Sequence, residues 1–212
     1  MSTKVGILAA CWFGLVSATA ISAETQHVRV EANLGAGCHI AATLPKATRS
    51  RMGGDPEVHD GGFRVEPLPA SWKSNMGEMY FSLRCLDTEG LHTSSLAKFN
   101  SATNQWEKDL DGRFGEMTAD ERVMLDSATK LINISAVNAR GYAAIEDDTI
   151  GEETSRQRRV SFCLLHEPKS ICGGGFVGML NDPKSDLTEH ALDILRTIEF
   201  LPDVPAAEPV KP

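Results

Sequence analysis

The 212-residue chain predicts an α+β fold: an antiparallel β-sheet meander with helices packed on it, stapled by disulfides into a single domain. Three observations carry that prediction. Several short segments alternate polar and apolar residues, the period of a half-buried strand. Two segments, Thr118-Ala119-Asp120-Glu121 and Asp186-Leu187-Thr188-Glu189, have capping-box spacing ahead of apolar residues at helical intervals. Between Arg158 and Leu180, two β-branched and aromatic runs flank Glu167-Pro168, which reads as a hairpin at the centre of a sheet. Cys163 and Cys172 stand symmetrically about that turn, and directly opposed residues of an antiparallel pair lie close enough for a disulfide.

The first residues predict export. Lys4 gives a positive start, Val5 to Val16 form an apolar run, and small residues lead to Ile21-Ser22-Ala23 and then Glu24. This is the pattern of a secretory signal peptide over residues 1–23, cleaved after Ala23, and the apolar run is too short for a membrane anchor. Leu8-Ala9-Ala10-Cys11 has the form of a lipobox, but too few apolar residues precede it to make a signal core. No later apolar segment is long enough to span a bilayer. The formal net charge of −8 disfavours nucleic acid and anionic membrane as partners and suits a basic protein surface. Beyond the leader stand Cys38, Cys85, Cys163 and Cys172, an even number that implies disulfides in an oxidising compartment, with three pairings open. Hairpin symmetry favours Cys163–Cys172, which leaves Cys38–Cys85. Zinc is the competing use of these thiols, and the chain has no Cys-x-x-Cys or His-x-x-x-His pair.

Taken in order, His27 to Ala32 alternates as a strand and Cys38 to Leu44 is a second short apolar run. Residues 45–61, with Pro45, Gly53-Gly54, Asp55-Pro56 and Gly61-Gly62, read as a loop. Phe63 to Glu66 alternates again, and Glu78 to Leu86 places Met79, Phe81, Leu83 and Cys85 on one face. Leu91 to Phe99 reads as a short helix and Asn100 to Gly115 as a loop around Trp106. The helix opened by Thr118 carries Met124, Leu125, Ala128, Leu131 and Ile132. Ile134–Val137 and Tyr142–Asp147 are strands around a turn at 138–141, and 148–155 is a polar connector into the stapled hairpin. The last helix places Leu187, Ala191, Ile194, Leu195 and Ile198 on one stripe, to lie on the sheet. Residues 24–201 make up the domain, and 202–212, rich in proline, read as a disordered tail.

Phe63-x-Val65-x-x-Leu68-Pro69-x-x-Trp72 and the closing Ala191-x-x-Ile194-Leu195-x-x-Ile198-x-Phe200 resemble the corresponding segments of PsbP-like and DcrB-like α/β/α sandwich proteins. The likeness covers element order over residues 60–200. The two disulfides and the strands before Phe63 depart from it. It implies a family of binding modules, secretion adaptors and envelope proteins more often than enzymes.

Chemistry-bearing patterns are few. Gly173-x-Gly175-x-x-Gly178 has dinucleotide-fingerprint spacing but lies inside a strand with no helix starting at its end, so close packing is the simpler reading. Asp55, Glu57, His59 and Asp60 could ligate a metal, though a glycine-rich turn with polar residues is usually solvated, and neither metal nor cofactor is expected. No nucleophile elbow, zincin motif or cysteine–histidine signature appears, and no catalytic residue is assigned. The strongest charge feature is the acidic run Glu146, Asp147, Asp148, Glu152 and Glu153, followed by Arg156, Arg158 and Arg159. These acids either pair across the hairpin or enter a partner's basic cleft. The resulting expectation is a periplasmic protein-binding module of a Gram-negative bacterium. Its most concrete form is an immunity or inhibitor protein occluding a secreted toxin, similar in compartment and size to the immunity proteins paired with type VI secretion effectors. An envelope-maintenance or small-ligand-binding protein is the alternative, and a hydrolase with a tertiary site the third class.

Overall fold

A computed structural model describes residues 26–89 and 96–203. The elements in chain order are β1 (His27–Asn33), β2 (His39–Pro45), β3 (Arg51–Asp55), β4 (Asp60–Val65), β5 (Met79–Asp87), β6 (Ala97–Asn100) and β7 (Gln105–Lys108). Then come α1 (Leu110–Phe114), α2 (Ala119–Ala128), β8 (Thr129–Ser135), β9 (Arg140–Asp147), β10 (Gln157–His166), β11 (Lys169–Met179), α3 (Thr188–Arg196) and β12 (Glu199–Leu201). The signal-peptide and lipobox readings, and the tail beyond Asp203, lie outside the described residues.

Strands dominate. A seven-stranded antiparallel sheet runs β3-β4-β5-β11-β10-β9-β8, a three-stranded sheet runs β1-β2-β12, and β6-β7 is a separate hairpin. The β10–β11 hairpin lies in the interior of the large sheet, with β5 on one side and β9 on the other. Cys163 and Cys172 are register partners in that hairpin and are disulfide-bonded. The second disulfide, Cys38–Cys85, ties the start of β2 to β5 and so links the two larger sheets.

The main core lies on one face of the seven-stranded sheet. Met79, Phe81, Leu83 and Cys85 of β5, Phe63 of β4, Phe162 and Leu164 of β10 and Ala143 of β9 point there by strict alternation. Ile40 and Leu44 of β2 and Leu192, Ile194 and Leu195 of α3 close it from the opposite side. Phe63 and Phe81 stack at 5.1 Å across the β4–β5 pair, the register position at which aromatic pairs contribute most. Trp72, in a turn after β4, stacks on His190 of α3 at 4.1 Å. On the outer face, α1, α2 and the β6–β7 hairpin cover β8 and β9: Leu110, Leu125 and Leu131 meet Ala144, while Trp106 meets Tyr142 and the disulfide. Among the described residues no helix is long and apolar enough to cross a membrane.

Several elements differ from the expectation. Residues 45–61 are not one loop; β3 and most of β4 form a hairpin in which Gly53 faces Gly62 and Gly54 faces Gly61. The glycines read as loop formers, yet a Cβ on Gly54 would stand 2.6 Å from the Asn33 carbonyl oxygen, so close approach to β1 demands glycine at that position. Residues 97–99 belong to β6 and not to a helix, while 91–95 lie outside the described residues. The stretch 100–115 contains β7 and α1, whose N-cap Asp109 accepts from the Gly112 N–H. Leu131 and Ile132 leave the helical stripe because the chain straightens at Thr129 and pairs with β9; β-branched side chains there favour the strand. The Thr118–Glu121 capping box is present, but the one at Asp186 is not. There Asp186 accepts from the Thr188 N–H and from Arg158, and α3 stops at Arg196, before Ile198 and Phe200, the latter lying on β12.

Candidate functional site

The acidic run that the sequence singles out is divided by the pleat. Successive side chains of a strand point to opposite faces, so Glu146 and Asp147 at the end of β9 cannot act together. Glu146 faces outward beside its register partners Thr129 and Arg159, and its carboxylate accepts from the Ser161 hydroxyl at 2.7 Å. Asp147 faces the α3 side. There the Arg158 guanidinium donates to both of its oxygens, at 2.6 and 2.7 Å, and to Asp186 at 2.8 Å. The two-sided hydrogen bonding holds Arg158 firmly protonated, well above the ordinary guanidinium range. Burial would raise Asp186, but hydrogen bonds from Thr188 and the charge of Arg158 outweigh it and hold this carboxyl below its usual value. Asp147, Arg158 and Asp186 therefore form a clamp joining β9, β10 and the start of α3.

Beyond the strand, Asp148 closes the 148–155 connector. Its N–H donates to the Gln157 carbonyl at 2.9 Å, and its carboxylate accepts the Gln157 N–H at 3.0 Å. Inside the connector Arg156 donates to the Gly151 carbonyl at 3.1 Å and Ser155 bonds back to the Glu152 carbonyl at 2.9 Å. The connector is thus held in one shape. At its apex Ile150 is 83% exposed, the most exposed of the large apolar residues described, and Glu152 and Glu153 beside it are exposed.

This connector forms one bank of a groove of about 780 Å³ across the outer sheet face. Arg113 and Phe114 of α1 and Leu125 of α2 form the other bank. Ser82, Gly174 and Ser161, small residues at aligned register positions on β5, β11 and β10, lie on the groove floor. Phe114 is 42% exposed at the rim. Arg113 and Arg159 line the groove without an ion-pair partner among the described residues. Of the expected residues, Glu146 and Asp148 line the groove, Asp147 adjoins it with its carboxylate held in the clamp on the other face, and Glu152 and Glu153 are exposed and outside the lining. Sequence reasoning missed Phe114, Arg113 and Ile150, and took Arg159 only as a cross-hairpin partner of the acids. The first two were hidden in a segment read as loop, although Asp109 before Leu110 is a helix-start signal.

The other sequence patterns have structural partners. Asp60 is in a two-point pair with Arg84, whose hydrogen bonds lower its pKa, and His59 Nδ1 lies 3.0 Å from the Leu34 carbonyl oxygen. Asp55 accepts the Glu57 N–H. Among the described residues no three histidine, cysteine or acidic side chains converge as metal ligands. Gly173 sits where a Cβ would be 2.0 Å from the Ser82 carbonyl oxygen, and Gly178 where it would press on the backbone before α3. The disulfides occupy all four cysteines of the described residues. Comparison with protein-family models, with curated proteins and with solved structures finds no match to this chain.

Proposed function

We propose that this chain is an exported protein-binding module whose contact surface is the connector bank of the outer groove, and that its partner presents a basic surface around an apolar recess. The observation that carries this reading is Ile150, 83% exposed at the tip of an internally hydrogen-bonded connector and flanked by exposed Glu152 and Glu153. An apolar anchor ringed by charge is the anatomy of a binding hot spot. A connector already held in shape loses little conformational freedom on binding. Carboxylates at the edge accelerate encounter with a cationic partner and set register. In its most concrete form the module is an immunity or inhibitor protein, and the connector occludes the active cleft of a secreted toxin. Two disulfides suit an oxidising compartment such as the periplasm. Kinship with the PsbP-like and DcrB-like sandwiches is part of this reading; the residues behind it meet where Trp72 stacks on α3.

The test uses a variant chosen from the geometry. Reversing Glu146, Asp147 and Asp148 would also break the Arg158 clamp, so loss of binding would be uninformative. Ile150→Asp with Glu152→Lys and Glu153→Lys alters only exposed side chains. The native chain, bound to a resin and exposed to periplasmic extract, is expected to retain a basic protein whose toxic activity it blocks. The triple variant, with unchanged melting temperature, is expected to lose that protein by at least tenfold. Equal retention by both chains would remove the connector from the interface, and retention of no protein whose activity is blocked would remove the inhibitor reading.

A further inference from the structure

We propose that a second groove, at the end of the sheet beside the β6–β7 hairpin, is a docking site for a proline-rich segment in the polyproline II conformation, and that its occupant is residues 204–212 of this same chain. The groove measures about 720 Å³ and is walled by Phe99 and Trp106, with Val137 from the β8–β9 turn, Arg140 at the start of β9 and His166 at the end of β10. Phe99 is 38% and Val137 61% exposed, and the Phe99 and Trp106 rings tilt together at 5.4 Å. Phe99 carries Arg140 over its ring and is otherwise partly open to a ligand.

Three features point to the occupant. First, the chain passes the groove at Phe200, three residues before the described structure ends at Asp203. The Phe200 ring stacks on the His166 ring at 4.8 Å, and the Asn138 side chain holds both the Phe200 N–H, at 2.9 Å, and its carbonyl, at 2.8 Å. Both His166 and Asn138 line the groove. Asp203 is in turn held by the Gly37 N–H at 2.9 Å. Nine residues in polyproline II span about 28 Å, enough to round the hairpin turn and cross the groove. Second, the segment Val204-Pro205-Ala206-Ala207-Glu208-Pro209-Val210-Lys211-Pro212 sorts by the three-residue turn of that helix. Val204, Ala207 and Val210 share one edge, Ala206, Pro209 and Pro212 a second, and Glu208 and Lys211 follow Pro205 on the third. Two edges are thus apolar, as proline-rich ligands of aromatic grooves require. Third, the charges match. Arg140 lies 5.5 Å from the Phe99 ring centre, and among the described residues its side chain donates to the Asn104 side-chain oxygen at 3.2 Å and to no carboxylate. Glu208 supplies one, and Lys211 answers the Glu89 and Glu167 carboxylates on the same rim. The tether keeps the segment at an effective concentration of order millimolar, so weak contacts suffice.

The experiment labels the full chain with 5-fluorotryptophan and assigns the Trp106 fluorine resonance with Trp106→Phe. Ending the chain at Asp203 is expected to shift that resonance and leave the Trp72 resonance, which reports the far contact with α3, in place. The full chain carrying Pro205→Gly and Pro209→Gly is expected to move Trp106 the same way, by at least half the distance. An unmoved Trp106 resonance on truncation overturns the proposal. So does a truncation shift that the glycine variant does not reproduce, since any covering segment would then serve. A Trp106 position that changes with protein concentration assigns the segment to a second copy and overturns the occupancy within one chain.

Discussion

Replacing Arg158 by methionine removes a guanidinium from between two carboxylates while keeping most of the packed stem. In the native fold this group makes three charge-assisted hydrogen bonds, two to Asp147 and one to Asp186, at 2.6, 2.7 and 2.8 Å. The side chains of Arg158 and Asp147 are each 31% exposed and that of Asp186 39%, so solvent screens the clamp only in part. Exposed pairs contribute ~0.2–1 kcal/mol and breaking a buried one costs ~3–5 kcal/mol. One-third exposure with a two-point contact places the loss at about 2 kcal/mol, toward the lower part of that interval because of screening. For a domain of this size that is a drop of ~4–8 °C in melting temperature. The cost arises mainly from stranding two carboxylates, so it must depend on pH. Asp186 has a folded pKa below its unfolded value, so its contribution is present above the ordinary carboxylate range and is lost as pH falls through the folded pKa. The melting-temperature gap between Arg158→Met and the native chain should therefore be full at neutral pH and shrink as pH drops below about 4. A gap that stays constant into acid would refute the electrostatic account and assign the loss to packing of the arginine stem.

Other outcomes follow from the same geometry. In the chain-entropy account, replacing Cys38 and Cys85 by alanine, which opens a crosslink of sequence separation 47, should cost about 4 kcal/mol. Replacing Cys163 and Cys172, separated by 9, should cost at most about 2.7 kcal/mol, because the hairpin ladder already holds those residues opposite one another. Urea unfolding of the two double variants gives the order, and the reverse order would contradict it. Burial against Trp72 lowers the pKa of His190 despite the acids Asp193, Glu189 and Asp186 around it. The neutral ring is thus the folded form, its contribution is present above the unfolded value of about 6.5, and stability falls as the ring is forced to protonate. His190→Phe keeps the stack and should flatten the melting-temperature profile between about pH 7 and 5; an unchanged slope would show that another group sets it.

The hairpin at the centre of the large sheet was legible because its determinants are local: two apolar runs, a turn and a symmetric pair of cysteines. The same is true of the Thr118 capping box, in which all participating atoms lie within four residues. Legibility failed where a residue's role depends on what approaches it from elsewhere in the chain. Gly54, Gly61 and Gly62 read as loop formers because what requires glycine there is the approach of Asn33, of Leu34 and of Phe81 from elsewhere in the chain, while Gly53 faces open space. Leu131 and Ile132 kept helical spacing, yet pairing with β9 drew them into β8. Asp186 and Glu189 had capping-box spacing, but Arg158, 28 residues earlier, takes one of the Asp186 oxygens.

The acidic run shows the division most clearly. Composition and order alone established that five carboxylates and three arginines stand within a short span around one turn, and that Ile150 interrupts them. Only the pleat and the packing of α3 decided their fates: Asp147 turns inward to a structural clamp, Glu146 outward to Ser161, Asp148 back onto its own turn, and Glu152 and Glu153 to solvent. A linear sequence specifies charge density, which is a sum over residues. The direction each charge faces is a property of strand alternation and of neighbours brought in from distant parts of the chain.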